Sequence, residues 1–210
     1  EVNGDFTFDG TFTDDGGYNK CVFNKTGSCK MTVTGQSTHT GGTTVNEGEL
    51  HIEAGATLGK GTLTVAAGAT LSGVTGSDTP LLNPTVNIDG TLQVGTSASA
   101  TRGTITFSGS NVTFGNTGNL ITRVRQATAD SPTGRHTTIS GINRMTMNGT
   151  ITVQLATRYT LAAGDSIRVF EAQNFSGTPI FDLPTLTDGL AWDTSRISEG
   201  LLFITDAATG

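Results

Sequence analysis

Charge is scarce in this chain: only 14% of its 210 residues are Asp, Glu, Lys or Arg. So little charge, with Val, Ile, Leu and Phe placed regularly along the chain, argues against a disordered polypeptide. Aromatic residues make up 6%, Pro numbers 5 and Trp occurs once. The longest apolar runs, such as Leu201-Leu202-Phe203-Ile204, span a few residues, so no helix can cross a bilayer and no membrane insertion is expected. The opening, Glu1-Val2-Asn3-Gly4, lacks the pattern of a secretory leader and predicts a mature or excised protein, part of a larger polypeptide.

Catalytic and metal signatures are missing too. There is no Gly-x-Ser-x-Gly word, no His-Glu-x-x-His word and no phosphate loop. His39, His51 and His136 are scattered, and no second Cys pair joins Cys21 and Cys29, so no metal centre or cofactor is expected. Polysaccharide lyases and hydrolases need clustered carboxylates. Between residues 91 and 170 the only acids are Asp130 and Asp165. The chain is therefore expected not to be an enzyme.

What is present is Gly, at 29 residues, and abundant Thr. Both are weak helix formers and suit short strands joined by tight turns. The segment Gly48-Glu49-Leu50-His51-Ile52-Glu53-Ala54-Gly55-Ala56-Thr57-Leu58 recurs thirteen residues later as Gly61-Thr62-Leu63-Thr64-Val65-Ala66-Ala67-Gly68-Ala69-Thr70-Leu71. Shorter copies open at Gly90, Gly103 and Gly149. Within one word Leu50 and Ile52 share a strand face and His51 takes the other. A single word cannot bury its apolar face, but stacked copies can. The repeat predicts a β-solenoid and leaves open whether one coil holds one word or two.

The stretch Ser37-Thr38-His39-Thr40-Gly41-Gly42-Thr43-Thr44-Val45-Asn46-Glu47-Gly48-Glu49-Leu50, continued by Ala54-Gly55-Ala56-Thr57-Leu58, resembles the autotransporter-associated β-strand repeat of bacterial passenger domains. Leu161 to Ile167, Phe181 to Pro184 and Gly189 to Ser195 look like the segment that closes such helices. The resemblance covers roughly residues 37–72 and 160–205. It implies an all-β, right-handed parallel β-helix that is secreted or displayed at the bacterial surface. On this reading residues 1–36 form an N-terminal cap or hairpin, 37–158 the solenoid, and 159–210 a C-terminal β cap. Trp192, near Leu190 and Ile197, reads as core of that cap rather than as a sugar platform.

Two local features complete the N-terminal region. Cys21 and Cys29 bracket seven residues and could close the hairpin as a disulfide, a gain of roughly 2–3 kcal/mol; the composition looks extracellular. Asp5, Asp9, Asp14 and Asp15 form an oxygen-rich stretch of a kind that can hold calcium. Phe6, Phe8 and Phe12 alternate through it, which favours an edge strand with its acids in solvent.

Charge sign is unevenly distributed. Residues 1–90 carry net −6, residues 91–170 net +5 and residues 171–210 net −5. Every base of the middle block is Arg, whose planar fork suits carboxylates and sulfates. Arg123 and Arg125, two apart on a strand, would share a face. Arg135 and His136 follow an irregular, Pro-containing stretch near 126–136 that reads as a protruding loop. Arg123, Arg125, Arg135, His136 and Arg144 are therefore the expected ligand-binding residues. The expected function is a non-catalytic binding or adhesion module for an extended polysaccharide or host surface glycan, acidic polymers favoured. A structural stalk and a polysaccharide lyase or hydrolase are the alternatives. Overall acidity argues against nucleic acid.

Overall fold

A computed structural model describes residues 4–17, 19–75, 79–95, 103–126, 128–129, 135–156, 159–187 and 189–207. The chain is all-β; the only helical turn among the described residues is Ile197–Glu199. Most strands are short and stack in parallel in two ladders. The first holds Phe6–Phe8, Lys30–Val33, Glu49–Ile52, Thr70–Gly73, Thr91–Val94, Asn119–Gln126, Thr150–Leu155 and Ile180–Asp182. The second holds Phe23–Lys25, Thr43–Val45, Leu63–Val65, Thr85–Ile88, Gly103–Phe114, Arg135–Met147 and Phe170–Ser176. A shorter third pair, Gln36–Ser37 with Thr57–Leu58, sits between them in sequence.

The inward positions of each ladder stack residue on residue. Met31, Leu50, Leu71, Leu92, Leu120 and Ile151 follow one another in register along the first, all buried. Val45, Val65, Ile88, Phe114 and Met147 do the same along the second. Each such side chain contributes about 1.5–3 kcal/mol by leaving water. The two columns belong to one continuous core.

The ladders also explain the thirteen-residue beat. Leu50 lies in the first ladder and Leu63, its counterpart in the repeat, in the second. The circuit closes at Leu71, which pairs with Leu50. A coil therefore holds neither one word nor two: the beat is the step between ladders.

Near Val124 and His136 the two ladders are joined by an antiparallel contact, Val124↔His136 and Gln126↔Arg135. The result is one curled, mixed sheet of 15 strands, shaped as a half-barrel. Part of the irregular stretch expected near 126–136 (residues 127 and 130–134) lies outside the described residues. Between these, Thr128–Ala129 pairs antiparallel with Asp165–Arg168.

The expected N-terminal hairpin is not formed. Phe23–Lys25 and Lys30–Val33, the strands on either side of its turn, belong to different ladders, so the chain turns a corner there instead of folding back. The expected disulfide is not formed either: Cys21 and Cys29 are free cysteines, both partly exposed. The ladders run through residue 36 unbroken. At this end Phe8, Phe12 and Phe23 stack with centroids 4.7 and 4.5 Å apart, and their rings cover the core. Lys25 occupies the inward position below Val45 and is buried. Its ammonium donates to the carbonyls of Thr26, Gly27 and Glu47.

The other end is covered by an antiparallel four-stranded sheet in the order Thr128–Ala129, Asp165–Arg168, Leu201–Asp206, Leu190–Asp193. Ile167, Leu202 and Ile204 of this sheet join the core. Trp192 packs against the same core and donates its Nε1–H to the Pro184 carbonyl at 2.9 Å.

Candidate functional site

Outward residues of the second ladder form a regular polar surface. Asn24, Thr44, Thr64, Asn87, Thr113, Thr146 and Ser176 follow one another in register over seven strands. All are exposed or half-buried. Beside them runs a second column, Thr85, Asn111, Arg144 and Asn174. Thr is β-branched and polar, which suits a solvated strand face. Parallel strands repeat about every 4.8 Å, so the columns present hydroxyl and amide groups at a fixed interval. Several are fixed by their neighbours: the Thr146 and Ser176 hydroxyls are 3.1 Å apart, Asn143 Nδ2 donates to Asn111 Oδ1 at 3.2 Å, and Asn174 Nδ2 donates to the Asn143 carbonyl at 3.2 Å. Arg144 is exposed and is the one charged residue in these two columns.

The same ladder is indented. The long strands Gly103–Phe114 and Arg135–Met147 slip register between Thr106 and Ser110, and Arg135–Met147 slips against Phe170–Ser176 between Ile139 and Ile142. Gly109 and Gly141 sit at these bulges with φ of 73° and 70°, a left-handed conformation natural to glycine. The stacked bulges leave an open trough of about 410 Å³ lined by Gly109, Gly141, Ile142, Glu171, Ala172 and Gln173.

Of the five residues expected to bind ligand, the antiparallel junction sets the backbone of Arg123 and Arg125 beside that of Arg135 and His136, while Arg144 lies further along the long strand. Arg123 and Arg125 lie on the first ladder, in Asn119–Gln126. The Arg123 side chain is half-buried; its Nε–H donates to Gln154 Oε1 at 3.0 Å, and desolvation lowers its pKa. The side chains of Arg125 and Arg135 lie outside the described residues; Arg135 pairs through its backbone with Gln126. His136 is buried, not surface-facing. Its Nε2 accepts the Arg168 backbone N–H at 3.3 Å. Burial first, then the charge of Arg168, pushes its pKa down to about 4. Arg144 alone of the five joins the polar columns of the second ladder.

The N-terminal acids hold backbone. Asp5 Oδ1 accepts the Lys30 N–H, and Asp15 Oδ1 that of Gly17. Asp14 accepts from the Cys21 and Thr40 N–H groups and from the Thr40 hydroxyl, which lowers its pKa. Among the described residues no group of three or more His, Cys, Asp or Glu side chains is arranged to hold a metal ion.

One polar cluster was not foreseen. On the first ladder Ser72 Oγ is 2.5 Å from Glu49 Oε1 and 2.7 Å from His51 Nδ1, and His51 Nε2 is 3.6 Å from Glu53 Oε1. Serine, histidine and carboxylate together invite comparison with a nucleophilic triad. The proton count opposes it. Ser72 has a single proton, and the short contact gives it to Glu49, so Ser72 accepts from His51 Nδ1–H. Desolvation lowers the His51 pKa and favours this neutral ring. Ser72 is also fully buried, with no path for a substrate. No sequence signal links these residues, because the thirteen-residue beat aligns His51 with Thr64 and not with Ser72.

No protein-family model matches the chain, and no curated protein matches it.

Proposed function

We propose that this protein is a non-catalytic, secreted or surface-displayed binding module that holds an extended polysaccharide along the outer face of its second ladder. The observation that supports this is the seven-strand column from Asn24 to Ser176. A linear polymer of hydroxyl-bearing rings can repeat its hydrogen bonds along such a column, and each contact need only be weak. Arg144, exposed between Asn111 and Asn174, offers its fork to a carboxylate or sulfate, and so favours an acidic glycan. On this reading the curled sheet is the right-handed parallel β-helix of the autotransporter-associated repeat, built to display a long face.

The test is retention on immobilised neutral and acidic polysaccharides. Thr64→Tyr/Thr113→Tyr raises two ridges across the column and should abolish retention. Thr91→Tyr, on the first ladder, should leave it unchanged. Arg144→Ala should weaken retention on acidic polymers alone and remove its salt dependence. Retention by no polymer would return the protein to the stalk reading.

A further inference from the structure

A flat column repeats equally at every strand and cannot fix where along a polymer the protein sits. The trough can. Its floor is the exposed backbone of Gly109 and Gly141 with the half-buried Ala172, above the buried Ile142, and it carries no large exposed side chain; its rim carries the exposed Glu171 and Gln173. A concave surface with a few convergent polar groups is a common feature of small-molecule sites, and the volume falls in their range. A Cβ on Gly109 would meet nothing within 4 Å, so the space above it is free. The trough adjoins the proposed face: its rim residue Gln173 precedes Asn174, which pairs in register with Arg144.

We propose that the trough is a sugar-ring subsite: one uncharged ring of the polymer lies with its C–H face on the Gly109–Gly141–Ala172 floor and donates hydroxyl hydrogens to Glu171 and Gln173. This rests on the polysaccharide reading. Uncharged follows from Glu171: a carboxylate accepts from hydroxyls and repels a uronate or sulfate. An acidic ring belongs beside the trough, at Arg144. The protein therefore selects a polymer in which a neutral ring adjoins an acidic one.

The probes are a neutral glucan hexamer and an oligogalacturonate hexamer, followed by backbone and side-chain amide NMR of the intact chain. The neutral hexamer should shift the amides of Gly109 and Gly141 and the side-chain amide of Gln173. Ala172→Phe, which fills the trough, should weaken the neutral hexamer at least tenfold. Glu171→Gln, an exposed change that leaves the packing alone, should raise the affinity of the uronate hexamer relative to the neutral one by about tenfold. If the amides of Thr64 and Thr113 shift while those of Gly109 and Gly141 do not, or if Glu171→Gln leaves the ratio of the two hexamers unchanged, the subsite is wrong and the binding face stands. If neither hexamer shifts any of these amides, the binding face fails with it.

Discussion

His136 Nε2 accepts the backbone N–H of Arg168 at 3.3 Å, and this bond ties the long strand Arg135–Met147 to the antiparallel sheet that covers the end of the core. It requires a neutral imidazole. The folded pKa is about 4 and the unfolded value near 6.5, so the unfolded chain binds the proton more readily. The contribution is complete above pH 6.5 and is lost as pH falls toward 4, on the order of 3 kcal/mol in all. Urea midpoints measured between pH 7 and 4 should fall steeply in the wild-type protein. His136→Gln keeps an acceptor and cannot titrate, so its midpoints should fall less. Parallel curves would show that the histidine is not the sensitive group.

The two bulge glycines differ, and their substitution should show it. Both have positive φ, which costs an L side chain about 1–2 kcal/mol. A Cβ at Gly141 would also lie 1.9 Å from the Phe107 carbonyl oxygen, whereas at Gly109 it meets open space. Gly109→Ala should cost about 1 kcal/mol and Gly141→Ala about 3 kcal/mol or more, read by chemical denaturation. Equal costs would contradict the stacking of the two bulges.

Strand character, Gly corners and apolar stacking were legible in the sequence because each is local: Leu50 and Ile52 are two apart, and Gly48 marks a corner between strands. The coil length was not. The best self-match in the chain pairs Leu50 with Leu63, but Leu50 touches Leu71, and no local pattern fixes where a circuit closes. The undetermined coil length also hid the cluster around Ser72, since His51 meets Ser72 only when the circuit closes. The Arg block is read from its charge: Arg123 and Arg144 share a stretch of sequence and a sign, yet they fall on different ladders, while His136 turns inward to serve a cap that lies far along the chain. Arg144 enters the expected site only through the charge of its block; its place beside Asn111 and Asn174 follows from the pairing of the long strands.

Cys21 and Cys29 should behave as two thiols. Each is partly exposed and neither is bridged, so native protein should react with two equivalents of a thiol reagent. A disulfide closing this short loop would contribute about 2–3 kcal/mol, or roughly 4–12 °C in Tm for a chain of this size. Melting with and without reductant should therefore coincide. A drop of that size on reduction would restore the bridge.

Lys25 guards the open edge of the second ladder. Buried inward-facing charge on an edge strand discourages pairing with another chain. Lys25→Met would leave the carbonyls of Thr26, Gly27 and Glu47 without their donor and open an apolar end. The expected cost is about 2–4 kcal/mol, with self-association that grows with concentration in sedimentation velocity. A monomeric variant of unchanged stability would remove Lys25 from this role.

Ser72 provides the sharpest separation of a binding module from a hydrolase. Its hydroxyl proton goes to Glu49, its lone pair takes the His51 Nδ1–H, and its surface is sealed. A serine placed so cannot lose its proton to the imidazole as an attacking oxygen must. It holds Glu49 and His51 in place instead, and Ser72→Ala strands both partners. The variant should lose about 1–3 kcal/mol of stability and retain polysaccharide binding. A fluorophosphonate should leave Ser72 unlabelled in the native protein. Labelling at Ser72, or a hydrolytic activity that disappears in Ser72→Ala, would make the cluster a catalytic site and overturn the non-catalytic reading.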